Sequence, residues 1–140
     1  FAHGLTYSGH PASCAAGLAT MDVLQNTSIL ESSAYDLAPY FARALESLED
    51  HPVVGQVRSK GLLAAVELVK DKGSGERLAP ESGGAVYTRD RAIENGLMLR
   101  QTGDAMIMSP PFVTSTEEVD ALVSKLTTAL DKTAAFYNVK

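Results

Sequence analysis

Residues 62–69 read Leu-Leu-Ala-Ala-Val-Glu-Leu-Val, an apolar run that only Glu67 interrupts. Hydrophobic side chains fall at odd and even positions alike, so the run is apolar on both faces and predicts a central strand. Glu67 is then expected to be paired or at a sheet edge. The run Val53 to Arg58 supplies a first neighbouring strand, with Gly61 marking a turn or bulge between the two. Leu97 to Arg100 and Ala105 to Ser109 predict two more short strands, joined by a hairpin turn at Thr102-Gly103-Asp104 and ended by Pro110-Pro111.

Helical segments surround these strands. Pro11 suits a first helical position, and Ala12 to Leu24 follows with Ala15, Ala16, Gly17 and Ala19, a small-residue helix expected to pack closely on several sides. Ser28 and Glu31 have capping-box spacing, and Ile29, Leu37, Phe41, Ala44, Leu45 and Leu48 continue at helical period up to Asp50-His51-Pro52. Residues 70–83 are charged and glycine-bearing and read as an exposed loop. Gly84 to Asn95 predicts a helix stopped by Gly96. Thr114 and Glu117 suggest a second capping box before a last helix with Val119, Leu122, Val123, Leu126 and Leu130 on one stripe. The order is two helices, a small sheet with an inserted helix, and a terminal helix. That is an α+β fold, not a regular βαβ alternation.

Composition narrows the function classes. The 140 residues carry 12 Lys+Arg against 17 Asp+Glu, a net charge of −5, with no basic run, so nucleic acid is not expected as a partner. No stretch of eighteen apolar residues occurs, and no membrane association is expected. The single cysteine, Cys14, excludes an internal disulfide and predicts a reducing compartment, the cytoplasm.

Two segments could carry chemistry. Gly4 and Gly9 have P-loop separation ahead of a helix, but His10-Pro11 stands where Lys-Ser/Thr would be needed for nucleotide hydrolysis. The hydroxyls of Thr6, Tyr7 and Ser8 and the backbone N–H groups could still hold a phosphoryl group, or form only a turn that caps the helix. Arg100 ends an apolar strand on the same face as Met98. It could fork onto a carboxylate or phosphate, or lie in solvent paired with Asp104. His10 and Cys14, four apart, could be a nucleophile pair, but a buried structural thiol is the expectation. His3, His10 and His51 lack metal-ligand spacing, and no metal is expected.

His3-Gly4-Leu5-Thr6-Tyr7-Ser8-Gly9-His10-Pro11 with its alanine-rich helix resembles a signature of the class III aminotransferases, pyridoxal-phosphate (PLP) enzymes of fold type I. Val54 to Leu63 resembles the strand pair of their C-terminal small domain, and Gly96 to Arg100, Gly103-Asp104, Ser109-Pro110-Pro111 and Thr114 to Asp120 resemble its closing segment. The resemblance implies a short, mainly antiparallel sheet covered by helices. Residues 1–25 would link from a large PLP-binding domain, and 26–140 would form the small domain.

Site roles follow from the same resemblance. Thr6 matches the threonine that binds the PLP phosphate of the neighbouring subunit, which implies a homodimer with a shared active site. Leu5, beside it, matches a position often aromatic in ω-amino-acid and amine transaminases. Arg100 matches the arginine that binds the substrate carboxylate. Gly9-His10-Pro11 leans toward the ω-amino acid–pyruvate transaminases, with an amino donor and a 2-oxo acid such as pyruvate as substrates. The lysines of this chain (60, 70, 72, 125, 132 and 140) match no Schiff-base lysine, so no catalytic residue is assigned. The chain is expected to be the last third of such an enzyme, without turnover alone. A stand-alone α+β binding domain, or a class III aminomutase or decarboxylase, are the alternatives.

Overall fold

The computed structural model describes residues 3–78, 81 and 83–140; positions 1, 2, 79, 80 and 82 of the predicted loops lie outside the described residues. The elements run α1 (Pro11–Asn26), α2 (Ile29–Ser32), a π-helical turn (Ser33–Leu37), α3 (Ala38–Glu46), β1 (Val54–Lys60), β2 (Leu63–Asp71), β3 (Glu76–Arg77), α4 (Gly84–Glu94), β4 (Arg100–Thr102), β5 (Ala105–Met108) and α5 (Thr116–Tyr137). This is the expected α+β order.

The apolar run takes the centre of the sheet. The strand order is β1-β2-β5-β4, all antiparallel, with β3 against the far end of β2. Lys60 pairs with Leu63, so Gly61 and Leu62 make a two-residue hairpin, and Gly61 takes the positive φ (58°) that a glycine at the first turn position permits. Only one face of β2 is closed along its length, however; on the other, Val69 alone is buried. Ala64, Val66 and Leu68 are buried with Met106 and Met108 of β5 beneath the helices, while Leu63 is 56% exposed and Ala65, Glu67 and Ile107 are half-buried on the other face. Glu67 is paired as expected, with Arg58 of β1 at 3.2 Å.

Phe41 and Leu45 of α3 and Val119, Leu126, Ala129 and Leu130 of α5 close the core with Ala85 and Ala92 of α4. The helix expected from Ile29 to Leu48 is interrupted: at Ser33–Leu37 the Ala38 amide reaches back to the Ser33 carbonyl, five residues earlier. Pro39 follows at once. It has no amide for an i−4 bond and its ring crowds the preceding turn, and widening that turn relieves both.

Several local expectations are corrected. Ser28 caps α2 with no side-chain hydrogen bond. The capping box before α5 is Ser115 with Glu118, not Thr114 with Glu117: Glu118 N–H donates to Ser115 Oγ at 3.2 Å and Ser115 N–H to Glu118 Oε2 at 2.9 Å. Thr114 is already held in the preceding turn, its amide on the Pro111 carbonyl. Residues 97–99 are not strand, and Arg100 opens β4 rather than ending it. The α1 helix buries no residue at all, contrary to the close packing expected of it, and Cys14 is exposed rather than a core thiol. No described element covers that helix.

Candidate functional site

The opening loop folds back on itself through short local bonds. Ser8 N–H donates to the Leu5 carbonyl at 3.0 Å, Leu5 N–H to Ser8 Oγ at 3.3 Å, and His10 N–H to the Tyr7 carbonyl at 3.2 Å. Gly9 takes φ 75°, which turns the chain into α1. No side chain caps that helix, and Pro11 occupies its first turn. Thr6 stands exposed on the turn, and its hydroxyl makes no hydrogen bond among the described residues. Leu5 and Tyr7 are also exposed, at 66% and 76%. The segment offers hydroxyl and amide donors on a tight turn, a set that suits a phosphate group.

Arg100 lies elsewhere. Leu97 and Leu99 turn into the core while Met98 and Arg100 turn outward, the face-sharing read from the sequence. Arg100 pairs across the hairpin with Ile107 and lines a groove of about 960 Å³ with Met98, Pro110, Leu122 and Lys125. Among the described residues no carboxylate forms an ion pair with it. Asp104, the expected partner, instead binds Arg77 of β3, a contact that holds the Arg77 pKa above its ordinary value through the hydrogen bond and the opposite charge. Asp104 lies in the two-residue turn between paired Thr102 and Ala105 and reaches the β3 edge.

Thr6 is not among the residues lining the Arg100 groove. His10 and Cys14 are joined only along the helix, Cys14 N–H to the His10 carbonyl. His51 sits 3.3 Å from Asp131. Among the described residues no three His, Cys, Asp or Glu side chains come together in a way that could hold a metal ion. Lys125 was not marked out by sequence. Its place on the groove follows from Leu122 one turn earlier on α5, a spacing that aligns the two on one side of the helix.

The structure superposes on a thermostable omega transaminase mutant from Pseudomonas jessenii with TM-score 0.89 and 34% identity, covering 98% of this chain and 30% of that one. It also superposes on the Pseudomonas jessenii omega transaminase in complex with PMP, with TM-score 0.88 and 34% identity over 97% of this chain and 30% of that one. Residues 1–130 match the Aminotransferase class-III family model, and the chain belongs to that family. Among curated relatives, the putrescine–pyruvate aminotransferase of Pseudomonas aeruginosa is 41% identical over 96% of this chain and 29% of its own length. The chloroplastic gamma aminobutyrate transaminase 3 of Solanum lycopersicum is 38% identical over 95% and 25%. The chain thus spans under a third of the relatives it matches.

Proposed function

We propose that this chain is the C-terminal part of a PLP-dependent aminotransferase that moves an amino group between an amine or ω-amino acid and a 2-oxo acid such as pyruvate. Residues 1–25 are the link from a large cofactor-binding domain and 26–140 the small domain. The observation that carries the reading is Arg100, an outward guanidinium with no ion-pair partner among the described residues, on a mostly apolar groove that Glu118 and Lys125 also line. A planar fork so placed holds a carboxylate by two parallel hydrogen bonds and rejects substrates that cannot accept them. The relative named for putrescine and pyruvate supports the same substrate pair.

The opening turn fits the phosphate end of PLP. The Thr6 hydroxyl has no hydrogen-bond partner among the described residues, the start of α1 carries no side-chain cap, and a phosphate accepts from hydroxyl and amide donors. Bound PLP supplies the electron sink for amino-group transfer. Thr6 anchors the phosphate in this reading, with Leu5 beside it bounding the pocket. Because Thr6 does not line the Arg100 groove, both residues can serve one chemistry when two chains share a site, as in a homodimer. The single cysteine fits a reducing compartment such as the cytoplasm, and no helix among the described residues is long and apolar enough to cross a membrane.

The exposed α1 favours a missing covering domain over the stand-alone reading, since a helix of this length that buries nothing is only marginally stable without a partner. In the full-length enzyme, Arg100→Ala should weaken carboxylate-bearing substrates by about a hundredfold in kcat/KM and simple amines by far less, as expected for a lost charge-assisted pair. Equal losses on both would overturn the role. The isolated 140-residue chain should show no turnover; measurable transamination by a pure preparation would sink the reading of it as a part.

A further inference from the structure

We infer that Lys125 is a positioning residue for Arg100, acting through the turn that ends α4; the inference rests on the reading of Arg100 as the substrate-carboxylate site. The turn is a Schellman motif. Gly96 N–H donates to the Ile93 carbonyl and Leu97 N–H to the Ala92 carbonyl, both at 2.9 Å, with Gly96 at φ 73°. These bonds use the amides of the turn and leave the Gly96 carbonyl outside the helical ladder. Lys125 Nζ donates to that carbonyl at 3.2 Å. In the opposite direction Asn95 Nδ2 donates to the Lys125 carbonyl at 3.3 Å. One residue of α5 therefore both gives to the turn and accepts from it, and the two bonds together fix the turn in position and in rotation.

The chain from this clamp to Arg100 has little freedom left. Leu97 and Leu99 are anchored in the core at 9% and 8% exposure, and Arg100 is already paired with Ile107 in β4. A displacement of the turn thus passes into the backbone that aims Arg100, and a bidentate carboxylate contact tolerates little misplacement. The Lys125 head group is bound to a neutral carbonyl, and it forms no ion pair with a carboxylate among the described residues. It also lines the Arg100 groove. A hydrogen-bond donor of that reach, held on the turn rather than on a counter-charge, fits positioning.

The test uses the full-length enzyme with Lys125→Met, Lys125→Arg, Asn95→Ala and Arg100→Ala variants, all checked for an unchanged melting profile. Two readouts are taken: steady-state kinetics on a carboxylate-bearing substrate and on a simple amine, and hydrogen exchange of the 96–101 peptide without substrate. Lys125→Met should raise KM for the carboxylate substrate about tenfold with kcat and the simple-amine parameters held within about twofold, and it should speed exchange of 96–101. Lys125→Arg, which keeps a donor at similar reach, should restore both; Asn95→Ala should fall between. An unchanged carboxylate KM in Lys125→Met, where Arg100→Ala raises it, overturns the inference and leaves the Arg100 reading standing. Equal losses on both substrates, or no rescue by arginine, mean a structural role and also overturn it. If Arg100→Ala itself fails to discriminate, both readings fall together.

Discussion

Thr88 Oγ1 and Thr133 Oγ1 lie 2.9 Å apart between α4 and α5, where neither residue has any exposed surface. Thr88 is also within bonding distance of the Gly84 carbonyl at 3.1 Å, and Thr133 of the Ala129 carbonyl at 2.8 Å. Three contacts share two hydroxyl protons. If one threonine donates across the helix pair, its own backbone contact is given up. Either Thr→Val change therefore leaves the remaining hydroxyl a carbonyl on its own helix to donate to. We expect each single variant to lose about 1 kcal/mol, the net worth of one buried hydrogen bond, and the double Thr88→Val/Thr133→Val to lose less than the sum. A urea-unfolding double-mutant cycle measures the coupling; strict additivity would show that the two hydroxyls do not bond each other.

Gly84 opens α4 against the loop that precedes it. A Cβ there would stand 2.3 Å from the Leu78 carbonyl oxygen and 3.0 Å from Leu78 Cγ, and Leu78 is fully buried. Helix propensity alone favours Gly→Ala by about 1 kcal/mol, but the clash is with backbone, and overpacking of that kind costs about 1–3 kcal/mol or more. Gly84→Ala should therefore lower the thermal midpoint. Gly17→Ala in α1 is the contrast, with nothing within 4 Å of its Cβ. It should leave the midpoint unchanged or raise α1 helicity in circular dichroism. The opposite order would mean that α4 starts elsewhere.

Asp71 anchors a tight turn at the start of the charged loop. Its Oδ1 accepts from Ser74 N–H at 2.7 Å and from Ser74 Oγ–H at 2.6 Å, and these bonds hold its pKa below the ordinary aspartate value. A carboxylate depressed in the folded state stabilises it above the unfolded pKa. That contribution disappears as pH falls through the folded pKa. Carboxyl carbon chemical shifts should thus give Asp71 a midpoint below that of a model aspartate, and Ser74→Ala should move it upward. A Ser74→Ala midpoint equal to the wild type would show that the hydroxyl is not the cause.

The sequence made the architecture legible where short-range rules decide. The Leu62–Val69 run marked the central strand, Gly96 marked the end of α4, and the 97–100 alternation set which side chains face out. What escaped depends on partners far along the chain. Asp104 goes to Arg77 and not to Arg100 because β3 folds back along the sheet to meet it. The Lys125 contact with Gly96 depends on how two helices are laid together. Cys14 and the small residues of α1 were expected in a core because small side chains permit close packing; permission does not supply a partner.

That helix gives the last prediction. α1 runs for 16 residues with no buried position, and Leu18 and Met21 are 65% and 57% exposed. Alanine-rich helices of about this length are only marginal in water without packing, because nucleation is costly. In the isolated chain the amides of α1 should therefore exchange orders of magnitude faster than those of α5, whose Val119, Leu126 and Leu130 are fully buried. Leu18 and Met21, with Val23 at 53%, should also drive association of the isolated chain, and Leu18→Ser with Met21→Ser should shift its sedimentation toward the monomer. In the full-length enzyme α1 should gain protection, because in that reading the rest of the protein covers it. An isolated chain that stays monomeric with α1 as protected as α5 would mean that the helix needs no cover, and would favour the stand-alone domain.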